Sequence, residues 1–153
     1  MSSRWLTPAQ QEAWLAYLSA SSLLERRIGR QLERDSGLSH LQYEILVRLA
    51  AAPDGELRMA ELATTLLNSK SKLTYQVDQL EKAGLVTRRS CHSDLRAVYA
   101  RLTDAGRERL EQAAPGHVDT VREFFIDAFT PEQLAAVTTG FTEANRRLRD
   151  APG

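Results

Sequence analysis

Hydrophobic residues recur at helical spacing in six stretches of this chain, and the series is interrupted once by two short extended runs. From Thr7 to about Asp35, Trp14, Tyr17, Leu18, Leu24, Ile28 and Leu32 share one broad face. Leu15 and Leu23 fall outside it, so a second surface of the same helix is apolar and two neighbours are expected. Ser39 to about Ala52 makes a second helix with Leu41, Ile45, Leu46 and Leu49 inward. After the turn APDG, the run LRMAELATTLL makes a short third helix with Met59, Leu62, Ala63 and Leu66 inward. The fourth lies in NSKSKLTYQVDQLEKAGLVTRR, residues 68–89. There Leu73, Val77 and Leu80 point one way, and Ser71, Lys72, Tyr75, Gln79 and Lys82 point the other. Gly84 is expected to stop it, because glycine takes the left-handed conformation of a helix end without steric cost. LVTRRS and AVYARL, separated by CHSDLR, read as a β-hairpin. Helix resumes from Thr103 to about Gln112, and Pro115 is expected to kink or break it. Val118, Val121, Phe125 and Phe129 carry an apolar stripe on to Thr130, and a last helix runs from Pro131 to about Arg149.

Three of these helix starts share one chemistry. Thr7, Ser39 and Thr130 each stand three residues before a glutamine, at Gln10, Gln42 and Gln133. That is a capping box, in which the hydroxyl accepts from an orphan amide and the glutamine reaches back to the cap. The predicted class is mainly α with a small β element, in the order α-α-α-α-β-β-α-α. A compact centre stands between long helical ends.

Charge sharpens the picture where composition does not. The chain of 153 residues carries 20 Lys/Arg and 20 Asp/Glu, a formal net charge of zero. Residues 70–101 nevertheless hold seven Lys/Arg against three Asp/Glu, a local excess of +4, with acidic flanks. A local positive patch suits a polyanion held at one place, because neutralised phosphates release counterions. No apolar run approaches the roughly eighteen residues that a membrane span needs. MSSRWLTPAQQEAW lacks the apolar segment of a secretory signal, and a single cysteine cannot form an internal staple. A cytoplasmic protein is the expectation. Neither a phosphate-binding glycine loop nor a nucleophile motif is present, so no enzyme chemistry and no cofactor are expected.

A short helix, a tight turn, an amphipathic helix and a basic hairpin make a winged helix-turn-helix. A helix fits the major groove of B-DNA and reads base edges there, while hairpin Lys and Arg hold phosphates or enter the minor groove. The polar face of the fourth helix is therefore read as a DNA-reading face. It comprises Lys70, Ser71, Lys72, Thr74, Tyr75, Gln76 and Gln79, with Arg88, Arg89 and Arg96 on the wing.

The stretches MAELATTLLNSKSKLTYQVDQLEKAGLVTRR and SDLRAVYARLTDAG resemble the MarR family of bacterial transcription regulators, most specifically in VDQLEKAGLV and in Asp94-x-Arg96 followed by LTDAG. The resemblance implies a homodimer. Helices within 7–38 and 103–149 would interlock, and residues 39–102 would form the DNA-binding part. It implies a repressor of pseudo-palindromic operators. Release would follow binding of a small phenolic or anionic ligand near the junction of the two parts. It places Arg96 at the wing tip, in the minor groove, and makes Asp94 the acid that braces the wing. Where the family often has arginine after the Thr/Ser of the recognition helix, this chain has Tyr75. Tyrosine packs on a thymine methyl or donates one hydrogen bond, but it lacks arginine's bidentate guanine contact.

Plainer readings stand beside these. Cys91, next to Arg88, Arg89 and His92, has the basic surroundings of a redox sensor; it is read as a small residue in a turn before a sensor. His40, His92 and His117 are too scattered for a metal motif, and no metal is expected. Trp14, Tyr17, Phe124, Phe125, Phe129 and Phe141 are read as core or dimer interface before ligand cavity. The alternative function is a winged-helix protein-interaction module without specific DNA binding. A further one is a ligand sensor whose DNA contacts are vestigial.

Overall fold

The computed structural model describes residues 5–94 and 96–152. Leu95, inside the CHSDLR turn, and both chain ends lie outside the described residues. The elements are α1 (Pro8–Ser36), α2 (His40–Ala51), β1 (Glu56–Arg58), α3 (Met59–Thr65), α4 (Lys70–Lys82), β2 (Val86–Ser90), β3 (Val98–Leu102), α5 (Asp104–Phe124) and α6 (Pro131–Asp150). Short 3₁₀ turns, Pro53–Gly55 and Ile126–Ala128, precede β1 and follow α5. This is the winged helix expected from the sequence, mainly helical with one small antiparallel sheet.

All three capping boxes form, with each hydroxyl accepting the N3 amide and each glutamine returning to the cap. Gly84 ends α4 in the left-handed region at φ +77°. Beyond it, the Leu85 amide donates to the Leu80 carbonyl at 2.9 Å, the long hydrogen bond of a helix stop. α3 ends in the same way, with the Asn68 amide on the Ala63 carbonyl at 3.0 Å. Its left-handed position is filled by Leu67 at φ +53°, a place where a side chain is strained. The turn between α3 and α4 is thus made by a leucine that is 72% exposed.

Two expectations need correction. The sheet has three strands in the order β1-β3-β2, not two. Glu56–Arg58 pairs antiparallel with β3, Leu57 opposite Ala100, so the third helix begins only at Met59. Three residues carry too little alternation to announce a strand. Pro115 does not break the chain's fifth helix, which is continuous from Asp104 to Phe124. An interior proline costs about 3 kcal/mol or more, so packing must offset it. Ala113 and Thr120, on either side, are buried, and the next residue, Gly116, lies hard against α1. A Cβ on Gly116 would meet Asp35 Oδ2 and Gln31 Nε2 at 2.7 Å.

The core joins the second half of α1 to the centre. Leu32, Ile45, Leu46, Leu49, Leu62, Val77 and Ala100 have no exposed surface, and Leu38, Leu73, Leu80 and Val86 almost none. Towards the chain's ends this packing stops. α6 buries none of its residues. On α1, Trp14, Leu15, Tyr17, Leu18 and Leu23 are all exposed, with Trp14 at 51%. Where these ends touch, Tyr17 lies between Trp14 and Phe141, ring centroids 5.7 and 5.6 Å away.

Candidate nucleic-acid interface

Burial of Leu73, Val77 and Leu80 fixes the rotation of α4. Its opposite face then holds Lys70, Ser71, Lys72, Thr74 and Tyr75, all exposed. Ser69 caps the helix by accepting the Lys72 amide at 3.2 Å. The first turn contains two lysines and no acid. Cations at a helix N-terminus oppose the positive end of the dipole, while an anion there is favoured. Local helix stability is therefore poorer with these lysines than without them, and a phosphate at the same place would reverse the sign. Tyr75 is 60% exposed and projects its ring into solvent. The Thr74 hydroxyl donates to the Lys70 carbonyl at 2.7 Å, which leaves its methyl and its lone pairs outward.

The wing places Arg96 beside this face. Asp94 Oδ1 accepts the Arg96 amide at 3.0 Å, and the Asp94 carbonyl accepts the Ala97 amide at 3.0 Å, so the acid closes the turn. Asp94 Oδ2 lies 4.0 Å from Arg58 Nη2, which ties the wing turn to β1. The Arg96 side chain is exposed, and among the described residues no carboxylate pairs with it. A groove of about 360 Å³ runs between α4 and the wing. Arg58, Lys70, Thr74, Arg88 and Arg96 line it, over Met59, Leu73 and Val98. α4 and the wing arginine thus front the same groove.

The other expected contacts are placed differently. Gln79 is half-buried. Gln76 is half-buried too, and its side-chain oxygen accepts from Gln42 Nε2 at 3.0 Å. Gln42 is the same glutamine that caps α2, so it joins the start of α2 to the middle of α4. Arg88 is ion-paired with Asp78 and Glu81, and its own amide donates to Glu81 Oε2 at 2.9 Å. The Arg88 guanidinium holds the Glu81 carboxyl below the usual carboxylate range. Arg89 is paired with both oxygens of Glu56, and its guanidinium lies 4.5 Å over the Tyr99 ring. That pairing likewise lowers the Glu56 carboxyl. Sequence reasoning missed Gln42, Glu56, Glu81 and Arg58. A capping glutamine shows its cap in sequence but not where its amide goes, and long-range acid partners leave no local pattern.

Cys91 Sγ is 3.1 Å from the Ser93 hydroxyl. Hydrogen bonding from Ser93, from the Ser93 and Asp94 backbone, and the charge of Arg89 draw the thiol below its ordinary value, against partial desolvation. The histidines are less scattered than their numbers suggest. His40 Nδ1 meets both oxygens of Glu25 at 2.9 Å, its other nitrogen is 3.7 Å from Glu44, and the His117 ring is 5.9 Å away. Glu44 and Glu25 raise the His40 pKa, while burial and the charge of His40 lower that of His117. Among the described residues no group of three His, Cys, Asp or Glu is arranged to hold a metal ion. Nor is any helix of the described residues long and apolar enough to cross a membrane.

Comparison with known proteins places this geometry. The family model described as MarR matches residues 38–98, from just before α2 to the first residue of β3. Sco3205, a MarR family transcriptional regulator from Streptomyces coelicolor solved in complex with DNA, is 43% identical to the chain. It superimposes with a TM-score of 0.94, covering 98% of this chain and 94% of its own. AbsC, a MarR family transcriptional regulator from the same organism, is 38% identical with a TM-score of 0.93, over 97% of this chain and all of its own. The transcriptional repressor YetL of Bacillus subtilis is 38% identical over 94 residues, or 60% of this chain. That match spans 56% of YetL's length.

Proposed function

The chain belongs to the MarR family of transcriptional regulators, and from that premise we propose that it is a homodimeric repressor of pseudo-palindromic DNA operators. The observation that carries this reading is the groove fronted by α4 and by Arg96, which no carboxylate pairs with among the described residues. On this side of the molecule Tyr75, with the half-buried Gln79 behind it, meets base edges, Lys70, Ser71, Lys72 and Thr74 hold the adjoining backbone, and Arg96 enters the minor groove. Residues 39–102 are the DNA-binding part, and the helices within 7–38 and 103–149 are the dimerisation part. Their exposed aromatic and leucine side chains would be costly to leave in water, and a second copy of the chain covers them. The neighbour Sco3205 was crystallised with DNA, and YetL carries the name of repressor, both in keeping with this reading.

The effector is a small phenolic or anionic molecule that releases the DNA. Supporting its entry near the junction is a cavity of about 340 Å³ lined by His40, Glu44, Arg48, Asn68 and Lys72. It lies between Glu25 of α1, α2, the end of α3 and the start of α4, so an occupant there competes for Lys72. The working compartment is the cytoplasm. The test is fluorescence anisotropy against duplexes that the protein enriches from a random pool, with light scattering for mass. Salt-sensitive binding by a species of two chains is expected. A stable monomer that enriches no duplex would instead favour the protein-interaction module.

A further inference from the structure

Arg88 sits on the basic hairpin next to the DNA-reading helix, where electrostatics alone would make it a phosphate contact. Its surroundings argue otherwise. The guanidinium is held by two carboxylates, Asp78 and Glu81, both on the second half of α4. Glu81 holds the Arg88 side chain at 3.1 Å with one oxygen and the Arg88 amide at 2.9 Å with the other. The Arg88 side chain is only 26% exposed, against 51% for Arg89. A phosphate would have to displace two anions already in place, one of them also bonded to the backbone.

Resting on the DNA-binding reading above, we propose that Arg88 is a positioning residue and not a DNA contact: with Asp78 and Glu81 it fixes the angle between the recognition helix and the wing. α4 is then braced on two sides. Gln42 holds Gln76 from α2, and Arg88 on β2 holds Asp78 and Glu81. The Asp78 and Glu81 charges are spent inside the protein, which leaves the first half of α4 and Arg96 as the cationic surface. In this arrangement Arg88 acts on the DNA through the place it gives Tyr75 and Gln79.

Counterion release separates the two roles. Each lost phosphate contact flattens the dependence of log affinity on log salt by about one, whereas loss of a brace lowers affinity at every salt concentration alike. The full-length chain is titrated by anisotropy against a duplex that the wild type selects from a random pool, across a salt series. Arg88→Ala is expected to bind several-fold more weakly with the wild-type slope. Arg96→Ala is expected to lose about one unit of slope per protomer. Glu81→Gln provides a test of opposite sign that keeps Arg88 in place. If Glu81 orients the helix through Arg88, its neutralisation weakens binding. If Glu81 merely competes with phosphate for Arg88, its neutralisation tightens binding. Arg88→Lys should recover part of the affinity, and thermal melts confirm that each variant is folded at the assay temperature. A slope that falls in Arg88→Ala as it does in Arg96→Ala, or tighter binding by Glu81→Gln, overturns the brace and leaves DNA binding standing. A wild type that enriches no duplex overturns both.

Discussion

The centre and the ends of this molecule are built to different standards of completeness. Between Leu38 and Leu102 the apolar side chains of α2, α3, α4 and the sheet bury one another, and their helix ends are capped or stopped within the chain. The first half of α1 and all of α6 are equally regular helices with equally good caps, yet α6 buries no residue. Regular backbone is therefore no measure of a finished fold. What separates the regions is whether an apolar face has found its neighbour within the chain, and the proposed dimer is what would give the ends theirs.

The contrast breaks first in the core. Leu49→Ala, at a site with no exposure, should cost about 2–5 kcal/mol, seen in urea melts whatever the protein concentration. By contrast, Tyr17→Ser with Phe141→Ser should leave helical content at high concentration nearly intact. Its melting temperature should fall steeply on dilution, because these rings touch each other within one chain but stay about half exposed there, and the proposed dimer would cover them. If dilution has no effect on either protein, the ends are not an interface.

Smaller effects sharpen the same division. Leu67 sits at the left-handed position where α3 stops, on the surface, so Leu67→Gly relieves strain without opening a cavity. A gain of up to about 1 kcal/mol is expected in chemical denaturation, and a loss would show that the leucine makes contacts of its own. The joint between the two regions carries a pH signature. His40 is raised by Glu44 and Glu25. Its contribution is fully present below the unfolded value of about 6.5 and fades as pH rises through the higher folded value. His117 is lowered by burial and by His40, so its contribution runs the other way and is lost as pH falls below about 6.5. His40→Gln should therefore destabilise more at pH 6 than at pH 9, and His117→Gln should relieve the loss of stability in acid.

The centre was largely legible in the sequence because its signals are local. Leu73, Val77 and Leu80 set the buried face of α4, Gly84 its end, and Ser39 with Gln42 the start of α2. What escaped depends on partners far along the chain. β1 exists through pairing with β3, and α5 survives Pro115 through its close approach to α1 at Gly116. The site divides along the same line. Ser71, Lys72, Tyr75 and Arg96 are exposed as the pattern required. Arg88 and Arg89 have the composition of DNA contacts, and the fold adds acid partners for them in Glu81 and in Glu56, 33 residues away from Arg89. Residue type announced a basic wing; only the folded chain shows which of its charges have carboxylate partners.

The most direct test of the account is the molar mass of the protein alone and on a duplex it has itself selected, by light scattering at micromolar concentration. Two chains of 17.1 kDa in solution, and the same two chains on one duplex, are the expected result. A stable single chain, or a protein that leaves every duplex free, would contradict it.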